Sequence, residues 1–145
     1  MLAVQLKDLS VEERWIEGES HKRLRAVFPL LGRGPENEES SVVYFELEPG
    51  NELERHTDSA EELLFIVQGR LEVSVGDEKS IVEGPCFALV PTLVPHGMRN
   101  VGFVTAKVAG FFTSRYTVSE FEKPLQPIGE KRVDTAQFEQ LLLAQ

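Results

Sequence analysis

Residues 41–77 read SVVYFELEPGNELERHTDSAEELLFIVQGRLEVSVGD. Three short apolar segments stand here between turn residues, and a strand sends successive side chains to opposite faces. Ser41 to Glu48 puts Val43, Phe45 and Leu47 on one face and ends at Pro49-Gly50. Glu62 to Val67 stops at Gly69. Arg70 to Val75 then alternates Leu71, Val73 and Val75 inward with Arg70, Glu72 and Ser74 outward, and Gly76-Asp77 turns the chain.

The same rhythm continues through Lys79 to Val82, Cys86 to Val90 between Pro85 and Pro91, His96 to Asn100, and Phe103 to Phe112. A strand about every ten residues predicts an all-β sandwich or barrel and leaves no room for helical crossovers. Upstream, Arg14 to Ile16 and Arg23 to Leu30 read as additional strands, and Gly32 to Ser40, with its Glu36, Glu38 and Glu39 run, as a solvated loop. Downstream, Asp134 can cap a helix with Gln137 at its third position, and Phe138, Leu141 and Leu142 make an apolar stripe suited to docking on the barrel. No repeat or linker divides the chain. The expectation is one domain over residues 1–145, with a barrel core at about 41–112 and a C-terminal extension over 113–145.

Composition narrows the function. The 145 residues are 41% hydrophobic and 27% charged, enough apolar material for a core and too much for a disordered chain. Fifteen Lys and Arg face 24 Asp and Glu, a net charge of −9 that repels nucleic-acid phosphates; the densest basic stretch, Lys22, Arg23 and Arg25, reads as a solvated strand edge. The longest apolar run, Leu63 to Val67, is five residues, whereas a membrane span takes about 20. The N-terminus lacks signal-peptide features, so a cytoplasmic location is expected, with no membrane or nucleic-acid partner. The single cysteine, Cys86, builds neither an internal disulfide nor a structural zinc site and reads as a small core hydrophobe.

The chemistry concentrates in two stretches. In Gly50-Asn-Glu-Leu-Glu-Arg-His56-Thr-Asp58-Ser-Ala-Glu-Glu62, His56 and Asp58 leave the same face of a strand, and Glu62 begins the next strand, where it can point back toward them. In Pro91-Thr-Leu-Val-Pro95-His96-Gly-Met98-Arg-Asn100, a second imidazole opens a strand. Met98 shares its face as a pocket wall, and Asn100 suits a strand-end hydrogen bond. His21, among Glu19, Lys22 and Arg23, reads as an exposed histidine.

These two stretches resemble the signature motifs of the cupin superfamily, and the chain is similar to its small members. Gly50, His56, Glu62 and Gly69 match the first motif, with Asp58 where the family has its second histidine. Gly84, Pro91, His96 and Asn100 match the second, with one extra residue between Gly84 and Pro91 and with Leu93 where the family usually has glycine. The resemblance implies a jelly-roll β-barrel holding one divalent metal ion, with His56, Glu62 and His96 as ligands. Asp58 either completes the set, or is too short to reach and leaves open positions, or serves as a neighbouring acid–base group. Two imidazoles and two carboxylates suit Fe(II), Mn(II), Zn(II) or Ni(II) better than copper(I).

The resemblance further implies action on a small organic molecule by oxygenase, isomerase or lyase chemistry. The other reading is a non-catalytic small-ligand binder in which His56 and His96 bond across the barrel and metal is weak or absent. It also implies a homodimer, and the apolar residues on both faces of Leu63 to Val67 fit a strand buried on two sides. Phe45, Phe65, Phe87, Phe103 and Phe111 are expected in the core.

Overall fold

The computed structural model describes residues 1–34 and 38–143; Glu36 of the acidic run lies outside them. Among the described residues there are twelve strands: β1 (Glu12–Ile16), β2 (Glu19–Val27), β3 (Ser41–Leu47), β4 (Glu52–Asp58), β5 (Glu62–Gln68), β6 (Arg70–Val75), β7 (Glu78–Glu83), β8 (Cys86–Val90), β9 (His96–Asn100), β10 (Ala106–Phe112), β11 (Val118–Gln126) and β12 (Glu130–Asp134). A short 3-10 turn of helix, Leu6–Asp8, precedes the strands, and one α-helix, α1 (Thr135–Leu143), ends the described chain. No helix among these residues is long and apolar enough to cross a membrane.

All pairings are antiparallel, in the order β7-β6-β9-β4-β11-β1-β2-β3-β10-β5-β8, with β12 beside β11. The sheet rolls into a nearly closed barrel, the jelly roll that the resemblance implied, with N-terminal strands and a short C-terminal helix added. Alternation decides what goes inside. Phe45, Leu47, Leu64, Ile66, Leu71 and Val108 meet in one buried cluster, each such side chain contributing about 1.5–3 kcal/mol by leaving water.

Several boundaries differ from the sequence reading. β2 runs from Glu19 to Val27 rather than from Arg23 to Leu30, and β10 starts at Ala106, because residues 101–105 form a loop. Phe103, on that loop, is 99% exposed and not a core residue. Phe87 and Phe111 are also exposed: in β5, β8 and β10 they share the outward parity of Leu63 and Phe65, opposite the inward Leu64 and Ile66. Phe65 and Phe87 stack on that outer face at 4.9 Å.

The C-terminal extension contributes two strands to the barrel. β11 pairs β4 at Ser119↔Asp58 and Phe121↔His56, and β1 at Ile16↔Leu125, so it closes an edge that β4 would otherwise leave open. α1 begins as expected, with the Ala136 N–H donating to Asp134 Oδ1 at 2.9 Å. Its stripe docks only in part. Phe138 packs against the Ile16, Leu125 and Val133 cluster, while Leu141 and Leu142 remain half or more exposed. Arg115 Nη2 holds the helix through Glu139 Oε1 at 3.0 Å.

Candidate metal centre

The site begins with an irregularity in β4. Leu53 pairs with Met98 and His56 with His96, so β4 advances three residues while β9 advances two. The extra residue is a β-bulge, which lets Leu53 and His56 face the same interior despite their odd separation. Gly97 is required beside it: a Cβ there would lie 2.9 Å from the Leu53 carbonyl oxygen. Glu54, within the bulge, is buried and meets Lys22 Nζ at 2.7 Å. Lys22 is therefore tied down rather than solvated, and its pKa is raised by the hydrogen bond to Glu54. Arg25 and Arg23 likewise pair, with Glu46 and Glu48 and with Glu13, so the basic stretch presents no free cationic patch.

Beyond the bulge, strand alternation carries His56 and Asp58 to one side, and the His56↔His96 register brings the second imidazole alongside at a ring separation of 4.2 Å. These groups lie deeper than a barrel rim: His96 is 1% exposed and Asp58 2%. His56 Nδ1 is bonded to the Glu54 carbonyl at 2.8 Å and His96 Nδ1 to the Val94 carbonyl at 2.9 Å. A carbonyl only accepts, so each ring carries its proton on Nδ1 in the neutral form and offers the Nε2 lone pair to the interior. Asp58 Oδ2 lies 3.0 Å from His96 Nε2 and 3.6 Å from His56 Nε2.

His56, Asp58 and His96 thus place three donor atoms within 4.8 Å of one another. Glu62 stands just outside this triplet, with Oε1 3.5 Å from His96 Nε2. Asp58 Oδ2 and His96 Nε2 are buried and face each other at 3.0 Å as a charge pair, without the geometry of a well-directed hydrogen bond. In the metal-free protein a proton on His96 compensates the Asp58 charge, and a divalent ion can take its place, because two imidazoles and two carboxylates are a donor set that fits one.

Electrostatics follow from the same crowding. Burial favours the neutral form of Asp58, but the two imidazoles outweigh it and hold the carboxyl well below the usual range. Burial also opposes a charged His96, yet the Asp58 and Glu62 carboxylates push it up to about 10. Glu62 is raised, chiefly by burial and also by the Asp58 charge, against the pull of His96.

Three positioning residues escaped the sequence reading. The Ser119 hydroxyl donates to Asp58 Oδ1 at 2.5 Å and so turns Oδ2 toward the histidines. Phe121 stacks on His56 at 4.6 Å and 18°. Both sit on β11, whose alternation of Ser119, Phe121 and Leu125 with Glu120 and Glu122 was a usable signal obscured by Pro124. Gly110, on β10, leaves the room Glu62 needs, because a Cβ there would collide with its Oε2.

The remaining expectations resolve simply. Met98 lines the cavity, and the Asn100 side chain donates to the Leu47 and Val104 carbonyls while accepting from the Gly102 N–H. His21 is exposed, 3.6 Å from Glu52. Cys86 packs part-buried against the core. Leu93 adopts φ 62°, the left-handed region that favours glycine, and its N–H donates to the Asp58 carbonyl at 2.9 Å.

Residues 43–111, just under half of the chain, match the family model described as Cupin domain, and this part of the chain is a cupin domain. Among solved structures it is similar to a predicted oxalate decarboxylase from Thermotoga maritima, at 14% identity and TM-score 0.67 over 78% of this chain and 99% of that one. It is also similar to a polyketide cyclase from Streptomyces resistomycificus, at 16% identity and TM-score 0.62 over 77% and 78%. An oxalate oxidase in complex with glycolate aligns at 20% identity and TM-score 0.56 over 58% of this chain, which spans less than half, 46%, of that protein. At these identities the likeness establishes the fold alone. No curated protein matches the chain.

Proposed function

We propose that the protein binds one divalent metal ion, Fe(II), Mn(II), Zn(II) or Ni(II), through His56, Asp58, Glu62 and His96, and acts there on a small organic molecule. The observation that carries this reading is the convergence of donor atoms from His56, Asp58 and His96 within 4.8 Å of one another, with both Nδ1 atoms committed to backbone carbonyls. A cavity of about 350 Å³ opens onto the same four residues, within the size range of small-molecule sites. A bound divalent ion supplies Lewis acidity and open coordination positions. The chain's own groups do the rest: Ser119 orients Asp58, Phe121 fixes the His56 plane, and apolar walls exclude water. Neighbours of this fold include oxalate-acting enzymes and a polyketide cyclase, which supports oxygenase, isomerase or lyase chemistry.

Elemental analysis of protein purified without chelator or affinity tag, followed by an activity screen after Fe(II) restoration, tests the reading. Near-stoichiometric metal, lost in His56→Ala and His96→Ala, is expected. Substoichiometric metal that does not rise on reconstitution would instead establish the non-catalytic binder.

The protein is also proposed to be a homodimer. Leu63, Leu89 and Phe111 form one exposed cross-strand row on β5, β8 and β10, and Phe87, 79% exposed, extends the patch to the sheet edge. A contiguous apolar face ending on an edge strand suits a two-fold contact between copies.

A further inference from the structure

The cavity walls are unlike its closed end. Of the 24 described lining residues 17 are apolar, and five of the seven polar ones are His56, Asp58, Glu62, His96 and Ser119, gathered together. The other two, Glu12 and Arg14, sit apart from them on β1. Arg14 is the one lysine or arginine among the described lining residues, and it is already engaged: Nη2 donates to Glu12 Oε2 at 2.8 Å and Nη1 to the Glu13 carbonyl at 2.9 Å.

This distribution selects ligands by charge. Two carboxylates and two neutral imidazoles balance a divalent ion, so the loaded end carries no excess positive charge to attract an anion. A small dicarboxylate would bring two negative charges toward Asp58 and Glu62, with no unpaired cationic side chain among the described lining residues to offset them and apolar walls around them. An apolar body loses little there, since Phe45, Phe112, Phe121, Leu125 and Phe138 replace its contact with water. Leu141 and Leu142, 64% and 50% exposed on α1, also line this cavity and gain cover when an apolar ligand fills it.

We infer that the ligand is an uncharged, mainly apolar molecule of one or two rings bearing a single oxygen group, which faces His56 and His96, and that small dicarboxylates are rejected. The inference rests on the metal reading only for the polar end; the walls select apolar bodies without it.

Calorimetric titration of the full chain, metal-stripped and Mn(II)-loaded, with 2-naphthol and with oxalate tests it. The expected result is 2-naphthol binding at least tenfold tighter than oxalate in both forms. Ala26→Phe, which fills the cavity from β2, should weaken 2-naphthol at least tenfold and leave Mn(II) uptake unchanged. Leu142→Asp, at a half-exposed position the fold tolerates, should weaken it several-fold and serves if Ala26→Phe does not fold. Oxalate binding as tight as 2-naphthol, or 2-naphthol binding indifferent to these variants, would overturn the inference. Mn(II) uptake without 2-naphthol binding would sink the ligand class and spare the metal centre. Variant-sensitive 2-naphthol binding without Mn(II) uptake would uphold the ligand class and remove the metal centre.

Discussion

Asp58→Asn isolates one charge in the buried cluster. Asparagine keeps the shape and can still accept the Ser119 hydroxyl, but the negative charge 3.0 Å from His96 Nε2 is gone. In the metal-free protein that charge is the main reason His96 is pushed up to about 10 against burial. A raised histidine pKa stabilises the folded state fully below the unfolded value of about 6.5, and the contribution disappears as pH rises through the folded value. At pH 7 the folded value lies about three pH units higher, each worth about 1.4 kcal/mol, so the ceiling is about 4 kcal/mol. Glu62 still faces the ring, and the desolvation cost of Asp58 is removed, which brings the expected net loss to about 2–3 kcal/mol. Urea unfolding of chelator-stripped parent and variant at pH 7 and at about pH 10.5 measures it. The penalty should vanish or reverse at the higher pH, where His96 is neutral in the parent and Asp58 is a buried charge without its counter-ion. A penalty of equal size at both pH values, or one below about 1 kcal/mol at pH 7, would refute the reasoning.

Three further outcomes follow from the geometry. Gly110→Ala should displace the Glu62 carboxylate and weaken Mn(II) binding about tenfold or more with the barrel still folded, as read by calorimetry and circular dichroism. Leu93→Gly should raise stability by about 0.5–1 kcal/mol in denaturant titration, because relief of the left-handed backbone outweighs glycine's added unfolded-state entropy. Light scattering at micromolar concentration should give twice the 16.3 kDa chain mass, and Phe87→Asp should shift it toward one chain; a monomeric parent would rule out the dimer.

The barrel was legible because its core strands alternate cleanly. β5, β6 and β8 fall within a residue of the segments read from Glu62, Arg70 and Cys86, and the turns between them carry glycine or proline. The convergence of His56, Asp58, Glu62 and His96 was also legible, since two-residue spacing and strand starts determine side-chain direction. What stayed hidden depended on other strands. The bulge in β4 reverses parity between Leu53 and His56 without any marker at residues 54 and 55. β11 carries Pro124, which argues against a strand, yet Pro124 lies where the pairing with β12 breaks between Glu120 and Leu125. The outward aromatics misled for a different reason: alternation tells which residues share a face, and both faces of β5 are apolar, so it does not say which one meets water.

The two departures from the family motif have separate physical consequences. At position 93 a leucine stands in a backbone conformation suited to glycine, and the contact it secures, its N–H to the Asp58 carbonyl, fastens the β8–β9 loop to the end of β4. Glycine could make the same bond, so that substitution costs stability without altering the site. At position 58 a carboxylate replaces an imidazole, and this changes what the site can do. Oδ1 is taken up by Ser119, which leaves Oδ2 alone facing the histidines and makes Asp58 a one-oxygen donor rather than a chelating pair. The added negative charge cancels the excess that a divalent ion would keep beside Glu62 alone. On the proposed metal reading, a neutral centre inside apolar walls would not favour anions, so the residue that departs from the motif is also the one expected to move ligand preference away from small dicarboxylates.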